Sequence, residues 1–510
     1  GNTGVPRYLA ELMIACASWY RQHNRFESAA ANAFLGIDDF ELQDAAGNEV
    51  NEDLDDSQRR AWANAVNPHN ALALIQGPPG TGKTHVLVEI LKTLAERGKR
   101  VLVTAPSNTA VDNICRRAIA LGLPILRAGR VEGRIAPDVA RAAWMNNLQA
   151  VNRVQQRRQG DTIIYAGTHL GLLRDDVVRA EMEVKDLFDV ILFDESGMAH
   201  FDELLGCIRM AHRAVLLGDH RQLPPFPLPP ALLSRLRRNF VIPRSQLAML
   251  NQSPLQWLME ERSLPVFVLR SSYRCQNPRL MRFSSVLFYE AQVKASLGAD
   301  YYRLPFNERW QKYPASTLRL YSTSGLPHAV RHENLNLQDG APGYENEIEA
   351  AIVRHLLLAA LERYPLEEIT IIAPYRRQVS RLRESVDAAA AGAAAGRDIP
   401  AQEWEEFVEQ RISTVDSFQG GESDLVITCY VRSNAGNGVG FVDDANRINV
   451  AHTRCRREMA IVGDIDCLKH QAHSQIFDRM ERAVHRDGEI IHVDERSEEH
   501  TSELQSLSHI

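Results

Sequence analysis

Residues 71–90 read ALALIQGPPGTGKTHVLVEI. The run Ala71–Ile75 has strand length, the stretch Gly77–Thr84 is glycine-rich, and a helical run, HVLVEILKTLAE, follows. Strand, glycine loop and helix in this order let backbone N–H groups wrap phosphates. Glycine lacks the Cβ that would block that approach, and the helix N-terminus adds a positive dipole end. Lys83 is expected to reach the β- and γ-phosphates and the Thr84 hydroxyl to hold Mg²⁺, with Gly77, Pro78, Pro79, Gly80, Thr81 and Gly82 completing the loop. The pattern specifies a nucleoside triphosphate, not what its energy drives.

Working outward, further apolar runs of strand length appear at Arg100–Thr104, Thr162–Tyr165, Val190–Phe193 and Ala214–Leu217, with helical stretches between several of them. Such alternation predicts an α/β fold, a mostly parallel sheet with helices on both faces. After the Pro-rich stretch Pro224–Pro230 a second set begins, at Val266–Leu269, Thr317–Leu320, Ile369–Ile372, Arg411–Val415, Leu425–Tyr430 and Met459–Val462. Two α/β domains are expected to meet near 263–266. The expected division is 1–53 as an N-terminal helical or linker remnant (helix at 8–20), 54–265 as the first domain, 266–470 as the second and 471–495 as a C-terminal extension. The Ala-rich stretch 388–396 reads as a helix extension or a loop. VILFDE, Val190–Glu195, brings Asp194 and Glu195 to the C-terminal end of a strand, where ligands sit in open α/β sheets. Asp194 is the expected Mg²⁺ ligand, and Glu195 is placed to polarise an attacking water.

Composition sets the outer bounds. A chain of 510 residues at about 150 per domain holds two to four domains. Hydrophobic residues at 45% and charged residues at 24% exclude a rod, a collagen-like fibre or a wholly disordered chain. The 58 Lys+Arg and 65 Asp+Glu give −7, so any basic surface must be local. Seven scattered cysteines without a C-x-x-C pair fit buried thiols in a reducing cytoplasm. No apolar run approaches a membrane span.

Beyond these two sites, several strings follow in order: LDDSQRRAW around Gln58, VLVTAPSNTAVDNI (101–114), AGTHLG (166–171), LLGDHRQLPP (216–225), LRSSYRCQNPRL (269–280), IIAPYRRQV (371–379), ISTVDSFQGGESDLVI (412–427) and RINVAHTRCRREMAIVGD (447–464). The series resembles the superfamily 1 helicases, in the branch of the nonsense-mediated-decay RNA helicase and its bacterial relatives, and covers about 54–465. The resemblance implies two RecA-like domains clamping ATP. Gln58 would read the adenine edge, Tyr273 would stack on the base, and Gln222 would sense the γ-phosphate. Arg274 and Arg454 would be arginine fingers, and Glu422 would approach the ribose or the water network. Arg454 opens the run Arg454, Arg456 and Arg457, which reads as helical. Ser107, Asn108, Thr168, Pro374, Tyr375, Thr414 and Ser417 match positions that face single-stranded DNA or RNA, mostly through its backbone.

The implied activity is ATP-dependent translocation and unwinding, 5′→3′, by a monomer. The alternative from another class is an ATP-gated clamp that grips single strands and remodels proteins without unwinding. A nuclease fusion would need an acidic metal cluster outside these strings. From Arg116 to Arg158 nine Arg face two acids, and part of this, about 130–160, reads as a small helical insertion; Arg153, Arg157 and Arg158 are candidates for phosphate contact. Departures from the family pattern occur at Met198, Ser272, Cys275–Gln276–Asn277 and Asn446. An accessory barrel ahead of Gln58 is not visible in 1–53. Residues 496–506, RSEEHTSELQS, match a translated sequencing adapter, so 496–510 is expected to be a non-native, unfolded tail.

Overall fold

The computed structural model describes residues 4–39, 41–44, 51–129, 132–144, 164–240, 250–275, 277–296, 316–336, 343–394, 399–418 and 421–493. Arg153, Arg157, Arg158, Gln276 and the tail 496–510 lie outside them. The chain divides into two compact α/β units between Ser271 and Ser272.

The first unit is built on seven parallel strands: β1 (Leu72–Gln76), β2 (Val101–Ala105), β3 (Ile125–Arg127), β4 (Ile164–Thr168), β5 (Phe188–Phe193), β6 (Ala211–Gly218) and β7 (Val266–Val268). Their order is β3-β4-β2-β5-β6-β1-β7. Alternate residues serve opposite faces: Leu72 and Leu74 belong to one buried cluster, Ala73 and Ile75 to the other. Both faces are dry, which explains the continuous apolar runs. β7 was expected to open the second domain, but its residues pair in parallel with Leu74–Gln76 of β1. β3 was not foreseen; it is short and only partly buried. Residues 4–39 are more than a remnant. The helix Gly4–His23 contributes Leu12 and Cys16 to the core, and the helix Ala29–Leu35 contributes Ala30, Ala31 and Phe34. Ser28 caps the second helix and also donates to the carbonyl of Ala211 at 2.5 Å.

The short β8 (Ser271–Ser272) lies at the boundary; the second unit contains β9 (Lys294–Ala295), β10 (Leu318–Ser322), the antiparallel pair β11 (Asn334–Asn336) and β12 (Gly343–Glu345), and β13 (Ile369–Ala373), β14 (Ile412–Thr414), β15 (Ser423–Cys429), β16 (Cys455–Gly463) and β17 (Glu489–His492). Six of them form a parallel sheet ordered β14-β13-β15-β16-β10-β17. Residues 471–493 are therefore integral, since β17 pairs with β10 and the helix Ile476–Asp487 buries Phe477 and Met480. The run Arg456–Arg457 is strand, not helix. The helix Ala445–His452 ends before it, and pairing with β10 and β15 overrides the helical reading. The Ala-rich stretch continues the helix Arg376–Ala394.

Candidate active site

In the first unit β1 runs into the phosphate loop, and the helix Lys83–Glu96 leaves it. Gly80 and Gly82 adopt φ 75° and 81°, the left-handed region that favours glycine. A Cβ on Gly82 would also lie 2.7 Å from Nε2 of Gln58. The Thr81 hydroxyl donates to the Pro78 carbonyl at 2.7 Å, fixing the turn. The Lys83 ammonium donates to the Gly77 carbonyl at 2.8 Å and stands 3.9 Å from Glu195. Thr84 is partly exposed in the first turn of the helix.

Gln58 is buried under this loop. Its Nε2 donates to the Thr81 carbonyl at 3.0 Å, and its Oε1 accepts from Asp55 N–H at 3.1 Å in a reciprocal capping box. The amide expected at the adenine edge thus braces the phosphate loop.

Asp194 follows β5 and is buried, its backbone N–H donating to Thr104 at 2.8 Å. Burial pushes its carboxyl above the usual range; the neighbouring Glu195 adds to this and Lys83 opposes it. The Asp194 carboxylate and the hydroxyl of Thr84, which follows Lys83 in the first turn of its helix, are hard oxygen donors of the kind Mg²⁺ takes. Glu195 has φ 51°, a left-handed conformation in a non-glycine residue of the kind that gathers at functional sites. Gly197 then packs so closely that a Cβ would meet the Asp219 carbonyl at 2.8 Å. Gln222 follows β6 and donates to Asp219 at 3.0 Å, while Gln76 donates to the other Asp219 oxygen at 3.4 Å. Asp219 is not among the residues expected from sequence, although it lies three residues before Gln222 in LLGDHRQLPP.

Ser107 follows β2 and Thr168 ends β4, and each caps a helix, accepting from Ala110 N–H at 3.2 Å and Gly171 N–H at 3.1 Å. Asn108 accepts from Arg127 at 2.8 Å, and Arg127 pairs at 2.8 Å with Asp112 inside the protein. The basic stretch from Arg116 is therefore not one surface: Arg127 is buried, and Arg116 pairs with Asp138 at 2.5 Å.

The second unit separates two groups of expected residues. Glu422 and Arg454 immediately precede β15 and β16, at the N-terminal edge of the sheet. Arg274 pairs with Glu422 at 2.5 Å, and Arg456 lies 3.8 Å from the same carboxylate. Arg454 is buried, whereas Tyr273 is 50% exposed. Arg456 and Arg457 both pair with Asp424, at 2.8 and 3.2 Å. Pro374 and Tyr375 follow β13, Thr414 ends β14 and Ser417 follows it, all at the C-terminal edge, where Ala373 is in register with Thr414. Thr414 and Ser417 share a hydroxyl–hydroxyl hydrogen bond of 3.0 Å. Tyr375 is buried, its hydroxyl receiving a hydrogen bond from Arg432 at 3.3 Å.

Comparison with known proteins gives two successive family matches. A family profile described as AAA domain matches residues 53–166, and a second of the same description matches 250–466. The rat DNA-binding protein SMUBP-2 is 27% identical over 471 residues, covering 83% of this chain and 44% of the relative. A Neurospora crassa regulator of nonsense transcripts 1 homolog is 28% identical over 440 residues, covering 79% and 36%. The Schizosaccharomyces pombe DNA polymerase alpha-associated DNA helicase A is 26% identical over 470 residues, covering 82% and 64%. The chain thus spans less than half the length of the first two. Among solved structures, an arterivirus nonstructural protein 10 helicase aligns with TM-score 0.38 and 14% identity over 81% of this chain and 64% of that one, a likeness too low to add to the fold. Among the described residues, no helix is long and apolar enough to cross a membrane, and no cluster of three or more His, Cys, Asp and Glu side chains could hold a metal ion.

Proposed function

We propose, from the AAA-domain matches at residues 53–166 and 250–466 and the resemblance to superfamily 1 helicases, that this chain hydrolyses ATP to move 5′→3′ along single-stranded nucleic acid and to open or remodel it. The observation that carries the reading is the C-terminal edge of the first sheet. Lys83 stands 3.9 Å from Glu195 there, Asp194 and Gln222 follow the adjacent strands β5 and β6, and Ser107 and Thr168 belong to the same edge.

In this mechanism the loop N–H groups from Gly80 to Thr84 surround the phosphates, and Lys83 exchanges the Gly77 carbonyl for phosphate oxygen. Thr84 and Asp194 would hold Mg²⁺, which would neutralise phosphate charge. Glu195 orients water, with Gln222 kept beside the reacting phosphate by Asp219. Gln58 braces the loop and reads adenine, while Tyr273 offers its exposed ring to the base. Arg274 and Arg454 supply guanidinium charge as the phosphoryl group transfers, and Glu422 releases Arg274 for that role. The seven cysteines are buried thiols, which supports a reducing, cytoplasmic setting.

The test is the ATPase rate without nucleic acid, with single-stranded DNA and with single-stranded RNA, alongside Lys83→Ala. Strand-stimulated hydrolysis is expected, falling about a hundredfold or more in the variant. Partial duplexes with 5′ or 3′ overhangs then check unwinding and polarity. Hydrolysis indifferent to either strand would sink the motor reading. Stimulation without unwinding would favour the ATP-gated clamp.

A further inference from the structure

At the C-terminal edge of the second unit, the aromatic residue expected to face single strands is not the one presented to solvent. Tyr375 is only 7% exposed, and its hydroxyl is held by Arg432 at 3.3 Å and by the Val439 carbonyl at 3.5 Å. Phe441, which no sequence string singled out, is 45% exposed. Its ring lies 4.6 Å from the ring of Tyr375, tilted at 58°. Tyr375 packs edge-on against Tyr344 at 5.4 Å, and the Arg432 guanidinium sits 3.9 Å from the Tyr344 ring centre. Arg432 also donates to Glu333 at 3.1 Å and to the Gly438 carbonyl at 2.8 Å, tying down the loop that carries Phe441. The exposed ring therefore stands on a fixed foundation.

Phe441 also forms one wall of a pocket whose other walls include Pro374, Val415, Asp416, Val442 and Arg447. The Arg447 guanidinium lies 5.5 Å from the Phe441 ring centre. Its charge is already answered by Asp444 at 3.0 Å and Asp416 at 3.6 Å. A phosphate would meet those two carboxylates, whereas an uncharged planar ring would meet an apolar wall and a π-face. Arg376 is exposed at the start of the helix that follows Tyr375, a position suited to the phosphate flanking such a ring.

We propose that Phe441 is a stacking platform for one base of the single strand, supported from beneath by Tyr375 and Arg432. This rests on the function proposed above and adds a residue to it. Every base has a π-face, so the platform is indifferent to sequence and to the sugar.

The test is equilibrium binding of the full chain to short oligothymidylate and oligouridylate strands, each carrying one 2-aminopurine as a stacking reporter. Phe441→Ala is expected to weaken binding about tenfold on both strands and to restore reporter fluorescence. Phe441→Leu, which keeps apolar bulk but no π-face, should be equally weak, and Phe441→Trp should bind as the parent does. The Leu and Trp pair separates stacking from a general loss of packing. Ala and Leu variants that bind as tightly as the parent would overturn this inference alone. A parent chain that binds neither strand would overturn the proposed function as well.

Discussion

In the first unit the expected site residues from Lys83 to Gln222 sit at the C-terminal end of a parallel strand or on the loop or helix start that follows it, and backbone groups hold several of them there. In the second unit Arg274, Glu422 and Arg454 gather at the N-terminal ends of β15 and β16, where the Glu422 carboxylate pairs with Arg274 and lies 3.8 Å from Arg456. Pro374 and Thr414 go to the opposite edge. The first arrangement is local: a loop between a strand and its own helix has no other place to be. The second depends on which strands pair, so residues far apart in sequence meet through ion pairs. A site of the first kind is legible from a short string, and one of the second kind requires the assembled sheet.

The sharpest test of that contrast removes an arginine. Arg274→Ala or Arg454→Ala should lower the strand-stimulated ATPase by about a thousandfold with ATP binding largely retained, as read by steady-state kinetics and nucleotide titration. A loss of less than tenfold would mean that the arginines of the second unit only maintain its structure.

Next comes the tertiary brace inside the otherwise local first unit. Removing one partner of a buried ion pair strands the other, so Arg127→Ala should cost about 3–5 kcal/mol of stability. Denaturant unfolding followed in the first unit would show it, and Asn108, which accepts from Arg127, should lose its fixed orientation. An effect within 1 kcal/mol would remove that exception from the comparison.

The second unit has a further tertiary dependence, on acid. His452 is buried, and Tyr430 lies against its Nε2 at 2.9 Å. Burial pushes the imidazole down to about 3, from an ordinary value of 6.5. Between those values the unfolded chain binds a proton that the folded unit does not. Its stability should therefore fall as pH drops from about 6.5 towards 3, by up to about 1.4 kcal/mol per pH unit. In His452→Gln the slope within that window should flatten; an unchanged slope would assign the acid response to other groups.

The smallest effect separates a helix cap from a contact. Ser107→Ala should cost about 1 kcal/mol of stability through the lost cap. If Ser107 also touches the strand, single-strand affinity falls as well; if affinity stays level while stability drops, the residue is a cap only.

Continuous apolar runs of strand length, the glycine loop and the acidic strand end made the fold class and the strand–loop–helix unit legible from sequence, because each depends on neighbours in the chain. The short and half-exposed β3, the capture of Val266–Val268 by β1, and the integration of residues 4–39 and 471–493 were decided by long-range pairing and burial, which leave little local trace. The same holds within the site. Lys83 and Asp194 follow from their strings, but Gln58 as a brace, Asp219 as the holder of Gln222, and Phe441 outside and Tyr375 within emerged only when distant segments packed. Hydrogen-bond partners and exposure belong to pairs of residues in space, and tertiary structure alone brings those pairs together.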